Sequence, residues 1–191
     1  MAGIFAALVH RREQGPRHLE AQMIALGIDP GIRGALAALD HNGRLRIADM
    51  PIREKQGTGK TRNEIDPPAL LRMVRDLVPA GDTAIVVMED MHAFMGGGEE
   101  RRGSMASQAS LAATKAVVCA VLEIAGHPTQ FVTPQRWQRF YGIGRSSTET
   151  TKQASLRLAR ELFGPSFCPL AKHDGRADAM LIARWAQRNL T

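Results

Sequence analysis

The chain has 191 residues, 44% of them apolar and 23% charged, which excludes disordered and fibrous classes and is chain enough for an ordinary buried core. Two cysteines, Cys119 and Cys168, are too few for a disulfide framework and fit a reducing compartment, the cytoplasm. No apolar run approaches the roughly 20 residues of a membrane span. The net charge is +6, and the whole excess lies in residues 129–191, where ten basic residues outnumber four acidic ones. Such asymmetry points to a polyanionic partner, nucleic acid first, unless arginine is simply the favoured surface cation here.

Residues 1–22 differ in character from the rest of the chain and are expected to be an N-terminal extension loosely tied to the core; the domain proper is expected over 23–191. MIALGID (23–29) is an apolar run closed by an acid, a buried strand. After the turn PGIRG comes ALAALD, a second strand, and the Asn42-Gly43 turn leads into a third, RLRIADMPI. Residues 54–64 are polar and Gly-containing and are predicted as a loop. Pro67 and Pro68 open a helix with the stripe Leu70, Leu71, Val74 and Leu77, capped by Asp66. AIVVMED (84–90) reads as a fourth strand covered on both faces. A Gly-rich linker (95–104) precedes a long apolar helix over 105–125, stopped by Gly126. TQFVT (129–133) is the fifth strand, and Pro134 begins a short helix through Trp137. Ser146 and Glu149 have capping-box spacing ahead of a helix with the stripe Ala154, Leu158 and Leu162, ended by Gly164 and Pro165. The last helix is predicted from Asp174 to about Asn189. Hairpin-linked strands followed by strands alternating with helices imply an α/β fold, a mixed sheet with helices on both faces.

Most acids lie in polar stretches, but some do not. Asp29 ends the first strand, Glu89 ends the fourth, and Asp178 sits among Ala177, Ala179, Met180, Leu181 and Ile182 in the last helix. Sites in α/β sheets gather beyond the carboxyl ends of strands, so these carboxylates are candidate neighbours. Asp174 lies four residues before Asp178, about 6 Å along one helix face that continues into Leu181, Ile182 and Trp185. Asp174 is also a candidate N-cap, and each acid taken singly is as well explained by an arginine partner. Taken together they pose a problem, because packed carboxylates repel and burying them is costly. Divalent cations remove that penalty, and hard oxygen ligands suit Mg²⁺ or Mn²⁺. Four carboxylates are enough for two ions about 3.5–4 Å apart, the spacing that clamps the attacking and leaving oxygens of phosphodiester hydrolysis.

GIDPGIRGALAAL, VVMEDMHAF and KHDGRADAMLIA, in this order, resemble the RuvC family of Holliday-junction resolvases, within the RNase H-like nucleases. TPQRWQRFYG and STETTKQASLRLARELFG look like the bacteriophage and prophage members, and the resemblance runs from about Met23 to Asn189. It implies an RNase H-like five-stranded mixed sheet of order 3-2-1-4-5. It also implies a homodimer that nicks four-way DNA junctions in pairs, using two Mg²⁺ or Mn²⁺ ions and leaving 5′-phosphate and 3′-hydroxyl ends. Residue by residue, Asp29, Glu89 and Asp178 match the family's metal-binding acids, and Asp174 the penultimate one. Many bacterial members place that acid three positions before the last, where this chain has Gly175; His173 is the competitor for the role. Lys172 is a candidate contact to the scissile phosphate or an ordinary exposed lysine. His92 and Phe94 are candidates for a wedge at the branch point, Phe94 equally for the core. Arg101, Arg102, Arg136, Arg139 and Arg145 are candidate phosphate contacts. The helix over 105–125 is a candidate dimer interface, matching the near-twofold symmetry of a four-way junction. Rival readings are a related nuclease for flaps, forks or structured RNA, and a catalytically dead junction-binding module. Actin-like ATPases share the opening motif but need two such lobes, for which 191 residues are too few.

Overall fold

The computed structural model describes residues 23–55, 62–90, 105–144 and 148–190. The strands β1 (Met23–Asp29), β2 (Ala35–Asp40) and β3 (Leu45–Asp49) form an antiparallel meander. Next come β4 (Ile52–Lys55), β5 (Arg62–Ile65), α1 (Pro67–Leu77) and β6 (Thr83–Glu89). The chain continues through α2 (Met105–Ile124), β7 (Thr129–Val132), α3 (Pro134–Tyr141), α4 (Thr151–Phe163) and α5 (Asp174–Asn189). The main sheet has the order β3-β2-β1-β6-β7, with β1, β6 and β7 parallel. This is the expected 3-2-1-4-5 arrangement, β6 and β7 being its fourth and fifth strands. No helix among the described residues is long and apolar enough to cross a membrane.

The polar stretch expected as a loop contains structure. RLRIADMPI is not one strand: β3 stops at Asp49, and β4 pairs with β5 as a separate antiparallel ribbon, in register from Ile52↔Ile65 to Lys55↔Arg62. Pro51 has no N–H to continue the β2 ladder, and its carbonyl accepts instead from Asp66 N–H at 3.0 Å, closing the ribbon's base. Met50 and Ile65 anchor that base in the core. Asp66 caps α1 as expected, accepting from Ala69 N–H at 3.0 Å. The capping box of α4 is made by Thr150 and Gln153, not by Ser146 and Glu149. Ser146 lies outside the described residues, and Glu149 pairs with Arg157 at 3.1 Å. The buried face of α4 is accordingly Ala154, Ser155, Leu156 and Ala159, while Leu162 is 39% exposed. Contact with α5 favours small residues there, so leucine spacing misplaces the stripe. Helix α3 runs one turn past Trp137, to Tyr141.

Strand alternation assigns the two faces of the sheet. Ile24, Leu26 and Ile28 of β1, with Val86 and Met88 of β6, pack against Leu70 and Val74 of α1 and Val118 and Leu122 of α2. Ala25 of β1, Ala35 and Ala37 of β2 and Val87 of β6 face the other way, toward Trp137 of α3, Ala159 of α4 and Met180 and Leu181 of α5. The second face is built of small residues, and Gly27 is the extreme case. A Cβ there would lie 2.2 Å from the Ala183 nitrogen and 2.3 Å from the Ala179 oxygen. Helix α5 therefore rests on β1 backbone to backbone.

Candidate active site

The same alternation builds the site. On β1, Asp29 follows Ala25 and Gly27 on the α5 face; on β6, Glu89 follows Val87 on that face. The strands are parallel neighbours with Ile28 opposite Met88, so Asp29 and Glu89 come next on adjacent strands about 4.8 Å apart. Asp90, one residue on, pairs with Lys115 of α2 instead. From above, α5 contributes Asp174 in its first turn and Asp178 one turn later. Gly175 permits that approach: a Cβ there would lie 2.5 Å from the Arg33 oxygen and 2.8 Å from Asp29 Oδ2. Asp29 Oδ1 accepts from Gly31 N–H at 3.1 Å. Glu89, 5% exposed, accepts the Trp137 indole N–H on Oε1 at 2.9 Å. Asp174 is not the N-cap of α5; His173 holds that position without a side-chain cap bond, and Asp174 Oδ2 pairs with Lys152 of α4 at 2.5 Å.

These carboxylates act on one another. Burial, opposed by the Gly31 hydrogen bond and Lys152 and reinforced by the charge of Asp174, pushes Asp29 up to about 6. Burial pushes Glu89 up to about 7, opposed by the Trp137 hydrogen bond and reinforced by Asp29. Asp178 is pushed up to about 8, chiefly by burial; the Ser155 hydroxyl opposes this, while Glu89, Asp29 and Asp174 add to it. One of its oxygens, Oδ1, is buried without a hydrogen-bond partner among the described residues.

The raised values of Asp29, Glu89 and Asp178 tie part of the stability to pH. Unfolded Asp and Glu titrate near 4. From there up to about 8 these three acids hold more protons in the folded, metal-free protein than in the unfolded chain, so their contribution to stability falls as pH rises through that window. Asp178→Asn removes the group pushed highest. In EDTA it is expected to stabilise the protein by about 1–3 kcal/mol at pH 8, roughly 2–12 °C in melting temperature, and far less at pH 5. Thermal unfolding at the two pH values measures this; an equal effect at both would show that repulsion is not the cause.

The donor chemistry fits hard divalent cations: all four groups are carboxylates, and an orphaned buried oxygen is the acceptor that a cation would satisfy. As placed, no three His, Cys, Asp or Glu side chains among the described residues stand close enough to ligate a common ion. The acids converge, with Lys152 holding one of them, but do not form a closed ligand shell.

No protein-family model matches the sequence, and no curated protein matches it. Among solved structures, one of Thermus thermophilus RuvC aligns over 87% of this chain and 96% of its own, at 17% identity and a TM-score of 0.49. A structure of T. thermophilus RuvC in complex with Holliday junction substrate aligns over 87% and 97%, at 14% identity and a TM-score of 0.52. The fold is that of RuvC.

Within the RuvC fold, the structure brings Asp29, Glu89, Asp174 and Asp178 together at the carboxyl ends of β1 and β6, where the charges of the first three all reach Asp178. It does not bring His173 there. That ring faces Arg176, Asp49 and Lys172, and its Nδ1 accepts from Leu170 N–H at 3.4 Å. Lys172 is exposed and lies beside Asp49 and His173. Asp49 is itself held low by a two-pronged Arg176 bond at 2.5 and 2.6 Å. Arg136 and Arg139 are exposed on α3, Arg136 lying 5.2 Å over the Trp185 ring. His92, Phe94, Arg101, Arg102 and Arg145 lie outside the described residues, as do 1–22 and the Gly-rich linker. Sequence reasoning missed Lys152, Ser155 and Trp137. The available signals were a lysine two residues before and a serine one residue after Ala154 on α4, and a tryptophan five residues after the strand that pairs with Glu89.

Proposed function

We propose that the protein is a divalent-cation-dependent endonuclease of branched DNA, with four-way junctions as its substrate. The observation that carries this is the convergence of Asp29, Glu89, Asp174 and Asp178, from two strand ends and one helix, at the carboxyl ends of the central strands of a RuvC-type sheet. The fold neighbour whose structure includes a Holliday junction substrate supports the choice of DNA. So does the cationic excess of residues 129–191.

In this reading the four acids hold two Mg²⁺ or Mn²⁺ ions. When bound, such ions supply charge neutralisation, polarisation of the scissile phosphate and a nucleophilic hydroxide near neutral pH. The protein supplies placement. Asp29, fixed by Gly31 N–H, stands between Glu89 on the neighbouring strand and the α5 acids. Burial of Glu89 and Asp178 keeps bulk water from competing for their oxygens. Lys152 adds a cation at the rim through which a phosphate enters, and Arg136 and Arg139 lie on the exposed side of α3 for the flanking backbone. Hydrolysis breaks the bond from phosphorus to the 3′ oxygen and leaves a 5′-phosphate. A twofold dimer, for which α2 is the candidate interface, would place two such sites on strands of like polarity.

The test is a mobile four-way junction labelled on each strand, incubated with and without Mg²⁺, beside flaps, forks, linear duplex and structured RNA. Symmetric paired nicks that need Mg²⁺ are expected. Nicks confined to one strand of flaps or forks would replace junctions as the substrate, and no Mg²⁺-dependent cleavage of any branched DNA would overturn the reading.

A further inference from the structure

The Trp137 indole is fully buried, and a buried N–H that can only donate requires an acceptor. It finds one in a carboxylate of the proposed site, Glu89 Oε1, at 2.9 Å. The donor is rigidly mounted. Helix α3 starts directly after β7, whose Val132 is paired with Glu89 itself, and the Asp90 N–H bonds to the Val132 carbonyl at 2.8 Å. On the other side the indole meets the Tyr141 ring edge-on at 6.4 Å, and the Tyr141 hydroxyl donates to the Leu181 carbonyl of α5 at 2.8 Å. Trp137 is thus tied to both elements that flank Glu89, the neighbouring strand and the helix carrying Asp174 and Asp178. Filling a core needs only an apolar ring; aiming its one polar atom at a long, rotatable carboxylate does something more.

We propose that Trp137 is a positioning residue for Glu89, its indole N–H holding Oε1 so that Oε2 is the oxygen presented to a bound cation. This rests on the nuclease reading above. Loss of a hydrogen-bonding partner behind a metal ligand typically costs about 10–100-fold in metal affinity or activity.

The experiment is a double-mutant cycle read by Mn²⁺ binding without DNA, using the electron paramagnetic resonance signal of free Mn²⁺. Trp137→Phe is expected to weaken Mn²⁺ binding about 10-fold or more, to lower kcat for junction cleavage comparably, and to leave metal-free junction binding unchanged. In a Glu89→Ala background the same replacement is expected to change Mn²⁺ affinity less than about twofold, since positioning acts only through Glu89. Equal losses in both backgrounds, or none in either, overturn the proposal. Where Trp137→Phe does not fold, benzothienylalanine at 137 changes only the N–H to sulfur. If the wild type binds no Mn²⁺, the nuclease reading fails, and positioning is decided by crystal structures of wild type and the benzothienylalanine protein. A turned Glu89 carboxylate supports it, and an unmoved one overturns it.

Discussion

Asp29→Asn is expected to slow junction cleavage by at least about 10³-fold, a loss of about 4 kcal/mol of transition-state stabilisation, while junction affinity stays within a few fold. The substitution is isosteric, and its amide oxygen can still accept from Gly31 N–H, so the turn is preserved. What disappears is the anion at the centre of the cluster, the group whose charge reaches Glu89, Asp178 and Lys152. Binding survives because the candidate DNA-contacting cations lie elsewhere. Asp40→Asn is the control: Asp40 pairs with Ile24 at the far end of β1 and caps a hairpin turn through Asn42 N–H and Arg44 N–H. Its cleavage rate is expected within about twofold of wild type. Single-turnover cleavage and gel-shift titration in parallel check both statements. Equal loss in the two variants would mean that the acid cluster is not the reacting site.

Gly27→Ala is expected to destabilise the protein by about 3 kcal/mol or more, roughly 6–12 °C in melting temperature, although it adds a single methyl group. The atoms that this methyl would meet are the backbone nitrogen of Ala183 and the backbone oxygen of Ala179, which cannot rotate aside. Helix α5 must lift, and Asp174 and Asp178 lift with it, so cleavage is expected to fall even where the variant remains folded. Gly43→Ala provides the comparison. Its φ of 80° is unfavourable for alanine, but nothing lies within 4 Å of the added carbon. A cost of about 1 kcal/mol and unchanged cleavage are expected there. Thermal denaturation of both variants decides the matter; similar melting temperatures would show that α5 is not packed on β1 as described.

Much of the frame is legible in the sequence because β1, β2 and β6 are each written as an apolar run stopped by an acid. Burial on both faces makes β1 and β6 continuous in Ile, Leu, Val and Ala, and the same patterning places α5 at Asp174–Asn189. The ribbon β4–β5 was not legible, since a strand pair whose outer positions are Arg53, Glu54, Asn63 and Glu64 carries no alternation of apolar and polar residues. The choice between His173 and Asp174 turns on helical phase, about 100° per residue, and on where α5 begins. The structure settles the start, and the two side chains diverge, one toward Arg176 and Asp49, the other toward Lys152. Trp137, Ser155 and Lys152 escaped notice for a different reason. Each owes its place to a partner 22 to 48 positions away, a separation at which spacing says nothing.

The close seating of α5 on β1 also has a temporal side. Asp29 stands near the start of the described chain and Asp178 near its end, with the rest of the sheet, the ribbon and helices α1 to α4 synthesised between them. During translation the meander β1–β3 can form early, but its glycine and alanine face is not closed until α5 emerges from the ribosome. A nascent chain halted between Glu89 and Asp174 holds two of the four acids and lacks the helix that supplies the other two. On the proposed reading, chain order keeps the acid cluster incomplete until α5 has been made.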